Sequence, residues 1–188
     1  MEVAPPEQPL TDGVVSLRPW CAEDVGALIR GLDGDPEITS FLELIPQPYG
    51  EEEARLWVQQ STALWRDHTG SPFAVLVAGE AVGGAGISWI DREHGVGDVG
   101  YWLRRDMRGR GYVTRAVLLL AAWAFSVGCE RLQLRADAAN EASIRVAERA
   151  GFQREGVMRS ARYNPRLGRR MDFVLFSLLP GELADATP

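Results

Sequence analysis

The spacing of hydrophobic residues along the chain predicts a domain that mixes helices and strands. Apolar side chains recur at helical spacing in four segments, at residues 22–32, 51–67, 113–127 and 141–150. Short apolar runs bounded by turn residues predict strands at residues 14–17, 73–77, 82–90, 99–103, 132–135, 152–159 and 173–178. Three strands in succession, followed by alternating helices and strands, indicate an α/β domain with a mixed, mostly antiparallel central sheet flanked by helices.

Proline and glycine positions suggest where the regular elements stop. Residues 1–12 contain three prolines and are predicted to be a disordered lead into one domain over residues 13–180, with a tail over residues 181–188. The stretch 33–50 is rich in turn residues, has room for a short helix, and is suited to shaping a substrate mouth.

The composition narrows the class of protein. With 188 residues, 46% hydrophobic and 24% charged, the chain has the size and balance of one globular domain. Its longest apolar run, Ala116 to Phe125, is about half the length that spans a bilayer. No basic segment of a signal peptide opens the chain, and two cysteines with two histidines suggest neither a disulfide framework nor a metal site. We therefore expect a cytoplasmic enzyme or binding domain with no membrane partner.

Charge is distributed unevenly along the chain. Residues 1–100 hold 5 Arg and 17 acids, whereas residues 101–170 hold 15 Arg and 6 acids. The Arg-rich half favours an anionic partner, since the guanidinium fork suits phosphates, and a solvated charged face is the alternative. A net charge of −6 without interleaved basic and aromatic stripes argues against a nucleic-acid partner.

The most informative segment is a loop of arginines and glycines, Arg108-Gly109-Arg110-Gly111-Tyr112-Val113-Thr114, between a predicted strand and an apolar helix. Glycine lets a ligand approach the backbone amides, and the helix start adds unpaired N–H groups with a positive dipole end. The loop is not a dinucleotide fingerprint, which needs glycine at Thr114, and it lacks the Gly-Lys-Ser/Thr of a Walker A loop. By itself this pattern leaves phosphate binding and a simple turn open.

The segment Arg108–Val113 resembles the Arg/Gln-x-x-Gly-x-Gly/Ala loop of the GNAT N-acetyltransferase superfamily, with Val113 at the last position. Two further segments are similar to the RimJ/RimL type of ribosomal-protein N-terminal acetyltransferase: Gly100-Tyr101-Trp102-Leu103, and the signature that runs from Asn140-x-x-Ser143 through Gly151-Phe152 to Glu155-Gly156. Arg115 stands where that type often has an acid. The resemblance covers residues 14–179 and implies a single GNAT-like domain that transfers acetyl from acetyl-CoA to a primary amine.

The resemblance also implies roles for individual residues. Backbone amides of the loop would hold the pyrophosphate, the preceding strand end would pair with pantetheine, and Asn140 would bind the pantetheine arm or serve as a helix N-cap. The implied cofactor-binding residues are Trp102, Leu103, Arg104, Arg108, Gly109, Arg110, Gly111, Tyr112, Val113, Thr114 and Asn140. Ser143 would return a proton to the leaving thiolate, or would only satisfy the helix backbone. Asp98 would be the general base, or only a solvated turn acid.

The acceptor is less defined than the donor. Because neither cysteine lies in a motif, we expect direct attack in a ternary complex. Neutralising an α-amine of pKa near 8 costs about 1.4 kcal/mol at pH 7, against about 4.6 kcal/mol for a lysine, so a site without an obvious strong base favours a protein or peptide N-terminus. A small-molecule amine such as a polyamine or aminoglycoside, a non-catalytic CoA sensor, and a homodimer stay open. Residues 33–50 and 163–170 are expected to set specificity.

Overall fold

A mixed sheet runs through the computed structural model of the chain, which describes residues 3–42 and 45–183. Part of the predicted tail, residues 184–188, lies outside the described residues. The strands of the sheet are β1 Leu10–Thr11, β2 Val15–Pro19, β3 Gly70–Val77, β4 Glu80–Asp91, β5 Val96–Leu103, β6 Arg131–Asp137, β7 Gln153–Asn164 and β8 Arg169–Leu178. Their order is β1-β2-β3-β4-β5-β6-β8-β7, and β5 with β6 is the parallel pair in an otherwise antiparallel ladder. The predicted fold class is confirmed.

Helices cover both faces of this sheet. They are α1 Val25–Leu32, α2 Pro36–Phe41, α3 Glu51–Arg66, α4 Tyr112–Ser126 and α5 Glu141–Arg149. The short helix α2 forms within the turn-rich stretch because the Asp35 carboxylate accepts hydrogen bonds from the first-turn N–H groups and Pro36 occupies the first helical position. None of the helices in the described part of the chain is both long and apolar enough to cross a membrane.

Side-chain alternation along β3 shows how the two faces are packed. Phe73 points into the core beneath α4, and Ala74 points into the core beneath α1. On the α4 side, the rings of Trp65, Phe73 and Trp123 meet edge to face, with centroids 5.0 to 5.6 Å apart. Each such ring removes a large apolar area from water, so this cluster fixes α4 against the sheet.

The N-terminal segment departs from its predicted disorder. Val3 is 1% exposed in the core, and β1 pairs with β2. The Asp12 carboxylate accepts the N–H groups of Val14 and Val15 at 2.9 and 2.8 Å and pairs with Arg115 at 2.7 Å. Burial opposes ionisation of Asp12, but these hydrogen bonds outweigh it and lower its pKa. The prolines limit regular structure in this segment but do not prevent Val3 from packing in the core. Residues 1–2 lie outside the described residues.

The last hairpin is longer than predicted, because β7 and β8 close over a short turn at residues 165–168. The fully buried Asn164 holds that turn: its Oδ1 accepts the N–H groups of Arg166 and Leu167 at 3.0 and 3.1 Å. Its Nδ2 donates to the Ser40 carbonyl at 2.8 Å. This hydrogen bond attaches the hairpin tip to α2, which lies far from it along the sequence.

The sheet opens between β5 and β6. These strands pair only where Val96–Asp98 meets Arg131–Gln133. Beyond that point, Val99–Leu103 and Leu134–Asp137 both line a cavity instead of pairing. The opening lies beside the first turn of α4, which contributes Tyr112 to the same cavity.

Candidate active site

The cavity in the sheet opening has a volume of about 350 Å³. Its walls are the diverging ends of β5 and β6, the loop before α4, the first turns of α5, and α2. It brings together most of the predicted site residues, namely Trp102, Leu103, Arg108, Gly109, Gly111, Tyr112, Val113, Thr114, Asn140 and Ser143. Arg104, Arg110 and Asp98 are not among its lining residues.

The loop before α4 presents backbone groups to the cavity. Gly109 and Gly111 have φ of +75° and +79°, a left-handed conformation that glycine adopts without strain. Gly111 is the N-cap of α4, and no side chain caps the helix there. The N–H groups of the first turn therefore lack intrahelical partners and carry the positive end of the helix dipole. This end of the cavity is suited to a phosphate group.

The side chain of Arg108 is directed at the protein. Its Nη2 lies 2.5 Å from Asp35 Oδ2, its Nη1 2.7 Å from Glu37 Oε2, and its Nε 2.8 Å from the Leu103 carbonyl oxygen. The guanidinium thus connects the loop to the start of α2. Any contact of Arg108 with a bound anion would come from its backbone.

Arg104 also faces away from the cavity. Its guanidinium binds Asp106 and Glu80, each at 2.7 Å, and these carboxylates raise the pKa of Arg104. Its backbone N–H donates to the Val82 carbonyl at 2.8 Å, within the sheet. Successive residues of a strand direct their backbone N–H groups to opposite sides of that strand. Because the Arg104 N–H is bonded to β4, the N–H of Leu103 is directed toward the opening. Arg110 is exposed in the loop.

Asp98 does not reach the cavity, contrary to its predicted place as a general base. It lies at the closed end of the opening, where β5 and β6 still pair. Its two carboxylate oxygens accept from Arg135, with Oδ2 2.6 Å from Nη2 and Oδ1 3.2 Å from Nε. This ion pair across the two strands gives Asp98 a structural role.

Two hydroxyl groups meet inside the cavity. Ser143 Oγ lies 2.8 Å from the hydroxyl of Tyr101, and that hydroxyl is also 3.2 Å from the Ser143 carbonyl oxygen. Burial raises the pKa of Tyr101 to about 12, although the hydrogen bond with Ser143 lowers it in part. Tyr101 is therefore protonated at neutral pH and able to donate. Tyr101 was not among the predicted site residues, although alternation along β5 places it on the face of Val99 and Leu103.

Asn140 adopts the N-cap arrangement that was one of its two alternatives. Its Oδ1 accepts the backbone N–H of Ser143 at 3.0 Å, and α5 begins at the next residue. The cap fixes the first turn of α5, so it sets the position of the Ser143 hydroxyl. Asn140 itself is among the residues that line the cavity.

A sheet split between parallel strands, with an uncapped helix start at the split, gives an α/β domain that is suited to binding a phosphate-bearing ligand. The chain belongs to the GNAT acetyltransferase family. Its residues 15–153 match the family model described as acetyltransferase (GNAT) domain. Enzymes of this family use acetyl-CoA, and the protein is an acetyl-CoA-dependent N-acetyltransferase.

Similar proteins extend over nearly the whole chain. The uncharacterized N-acetyltransferase p20 of Bacillus licheniformis is 31% identical over 173 residues, which cover 90% of this chain and 95% of that protein. RimJ of Mycobacterium smegmatis, solved with CoA-disulfide, superposes with a TM-score of 0.85 at 23% identity, covering 97% of this chain and 93% of RimJ. RimL, a ribosomal L7/L12 alpha-N-protein acetyltransferase solved with coenzyme A, gives 0.84 at 22% identity, covering 92% and 98%. These two likenesses establish the shared fold.

Proposed function

We propose that the protein transfers the acetyl group of acetyl-CoA to the N-terminal α-amine of a protein or peptide, by direct attack in a ternary complex. The observation that carries this proposal is the pair of protonated hydroxyls, Tyr101 and Ser143, inside the opening of the sheet. The pair offers a proton to a leaving thiolate. The name of RimL, an alpha-N-protein acetyltransferase of the same fold, supports the choice of acceptor.

The donor would lie along the loop and the opening. First-turn N–H groups of α4, from Tyr112 to Thr114, would hold its pyrophosphate. The N–H of Leu103, directed away from β4, would pair with a pantetheine carbonyl, as in the addition of a strand to a sheet edge. The thioester would then reach the Ser143 hydroxyl at the start of α5.

Acetyl transfer needs a neutral amine and a proton for the thiolate. The amine nitrogen attacks the thioester carbonyl, the C–N bond forms and the C–S bond breaks. The thiolate takes the Ser143 proton, and the Tyr101 hydroxyl replaces it. The proton that the nitrogen loses as the amide forms passes through water to Tyr101, which restores both hydroxyls. An α-amine gives up its own proton at a cost of about 1.4 kcal/mol at pH 7, so it needs no strong base.

The cysteines give further support to direct attack. Neither lines the cavity. Burial raises the pKa of Cys129 to about 11, and burial together with neighbouring carboxylates raises that of Cys21 to about 11. Both thiols are protonated near neutral pH, whereas a covalent acetyl-enzyme would require a thiolate.

Steady-state CoA release tests the proposal with three acceptors: a lysine-free peptide with a free N-terminal serine, the same peptide with an acetylated N-terminus, and spermine. We expect turnover of the free peptide, none of the blocked one, and a rate that rises with pH through about 7–8 as the α-amine deprotonates. Because the pKa of Tyr101 is about 12, loss of its proton should not reduce the rate in this range. If spermine alone is turned over, the acceptor is a small amine and not a protein N-terminus. If none of the three acceptors causes CoA release, the proposal is contradicted.

A further inference from the structure

We infer that the Asp137 carboxylate binds the amino group of the acceptor. The inference rests on the proposed function, in which an amine is acetylated in this cavity. It applies to any primary amine that enters there. Asp137 is the last residue of β6, at the open end of the gap between β5 and β6, and it lines the cavity.

The strand register places Asp137 on the side of the sheet away from α5. Leu134 and Ala136 are buried in the core that α4 and α5 cover, so alternation along β6 turns Arg135 and Asp137 to the other face. Asp137 pairs with Phe173 of β8, which also lines the cavity. The hydroxyl pair belongs to the α5 side. An amine beside Asp137 would thus enter the opening from the face opposite the donor.

The carboxylate of Asp137 is buried but only partly paired. Its side chain is 4% exposed, and its Oδ1 accepts the Ala139 N–H at 2.8 Å. Its Oδ2 lies 3.4 Å from Nη2 of Arg169, a long contact to a side chain that is 45% exposed. A carboxylate accepts about four hydrogen bonds, and burying its charge is costly unless it is paired. An ammonium or amine would supply the donors that these two contacts leave unfilled.

Two other acids at or near the cavity, among the residues that the structure describes, are engaged elsewhere. Glu37 lines the cavity from α2, but its Oε2 binds Arg108 at 2.7 Å. Asp98 is held by Arg135. Asp137 is also close to the reacting end of the cavity, because the N–H of Asn140 donates to its carbonyl at 2.8 Å and Asn140 caps the turn that carries Ser143.

Two variants separate amine binding from a structural ion pair. Asp137→Asn keeps an acceptor for the Ala139 N–H and removes the charge, whereas Arg169→Gln removes the long ion pair and keeps the carboxylate. Calorimetry on protein saturated with CoA should show that Asp137→Asn weakens binding of the serine peptide or spermine by about tenfold or more, since hydrogen bonds to charged groups contribute about 1.5–3 kcal/mol. CoA affinity should be unchanged, and Arg169→Gln should bind the amine like the wild type.

Several results would overturn the inference. The first is an equal amine affinity in Asp137→Asn and the wild type, and the second is an equal loss of amine affinity in Asp137→Asn and Arg169→Gln. The third is that the wild type binds the N-acetylated peptide as tightly as the free peptide, and the fourth is that it binds neither amine. Asp137→Ser, which also retains an oxygen acceptor, replaces Asp137→Asn if that variant unfolds. Turnover decides the proposed function separately: an enzyme that acetylates spermine and not the peptide lacks the proposed acceptor, and the same variants then measure the role of Asp137 with spermine.

Discussion

The two walls of the cavity are built in different ways. The donor wall, residues 108–114 with the start of α4, is one continuous segment that offers backbone N–H groups in a conformation set by two glycines. The wall at which we propose that the acceptor binds, formed by α2, Asp137 and Phe173, takes side chains from three separate parts of the chain. A surface of backbone N–H groups keeps its binding properties with many different side chains, as long as the backbone conformation is kept. A surface of side chains changes its binding properties with each substitution. The donor is shared across the family, and in the proposed arrangement the choice of acceptor would depend on the side chains of this chain.

The largest expected effect comes from placing a negative charge on the donor wall. Gly111→Asp should weaken acetyl-CoA binding by about 4 kcal/mol, the repulsion of two unit charges 4 Å apart at an effective dielectric constant of 20. Calorimetry would measure it. Gly111→Ala is the matched control, because among the described residues no atom beyond the two chain neighbours lies within 4 Å of the added Cβ. Only the left-handed conformation is strained, by about 1–2 kcal/mol. Unchanged donor affinity in Gly111→Asp would mean that the loop does not hold the pyrophosphate.

The next effect is expected on the reaction itself. Ser143→Ala should lower kcat by about 10²-fold, or about 2.7 kcal/mol in barrier, with donor affinity nearly kept. Tyr101→Phe removes the partner hydroxyl and should lower kcat in the same direction. Rapid-quench measurement of the acetyl-transfer step would check both. If the two variants lose stability but keep their rate, the hydroxyl pair only supports the fold.

A smaller effect should couple the two walls. Arg108→Gln removes the guanidinium that joins the donor loop to Asp35 and Glu37, so KM for both substrates should rise by about five- to tenfold, with partial exposure limiting the loss. Arg105→Gln, in the neighbouring exposed turn, changes the net charge equally and serves as the control. A change in KM for the donor alone would show that α2 is independent of the loop.

The smallest effect concerns the helix cap. Asn140→Ala should cost about 1 kcal/mol of unfolding free energy, measured by urea denaturation, because the Ser143 N–H loses its acceptor. Asn140→Asp restores a capping oxygen without the amide. If the aspartate variant regains stability and donor affinity together, Asn140 acts only as a cap. If it regains stability alone, the amide also contacts the donor.

Local features were predictable from the sequence, and long-range pairs were not. The start of α4 was predicted to within one residue, since apolar periodicity and Gly111 both mark it. The ion pair that removes Asp98 from the site joins residues 37 positions apart, and the contact of Tyr101 with Ser143 joins residues 42 positions apart. Burial of Val3 likewise depends on core residues far along the chain. Such pairings arise from strand order, which no local pattern encodes.

The short ladder between β5 and β6 has a consequence for folding. Within the sheet, three residue pairs form the ladder between the half that contains β1 to β5 and the half that contains β6 to β8, and the Asp98–Arg135 ion pair adds to it. A donor bound in the opening as proposed would contact both halves and would bind the native state in preference to the unfolded chain. At a concentration of 100 times its Kd, such a ligand adds about 2.7 kcal/mol to the free energy of unfolding. In that arrangement acetyl-CoA would stabilise the fold as well as serve as a substrate, and a larger supply of the donor would prolong the lifetime of the enzyme.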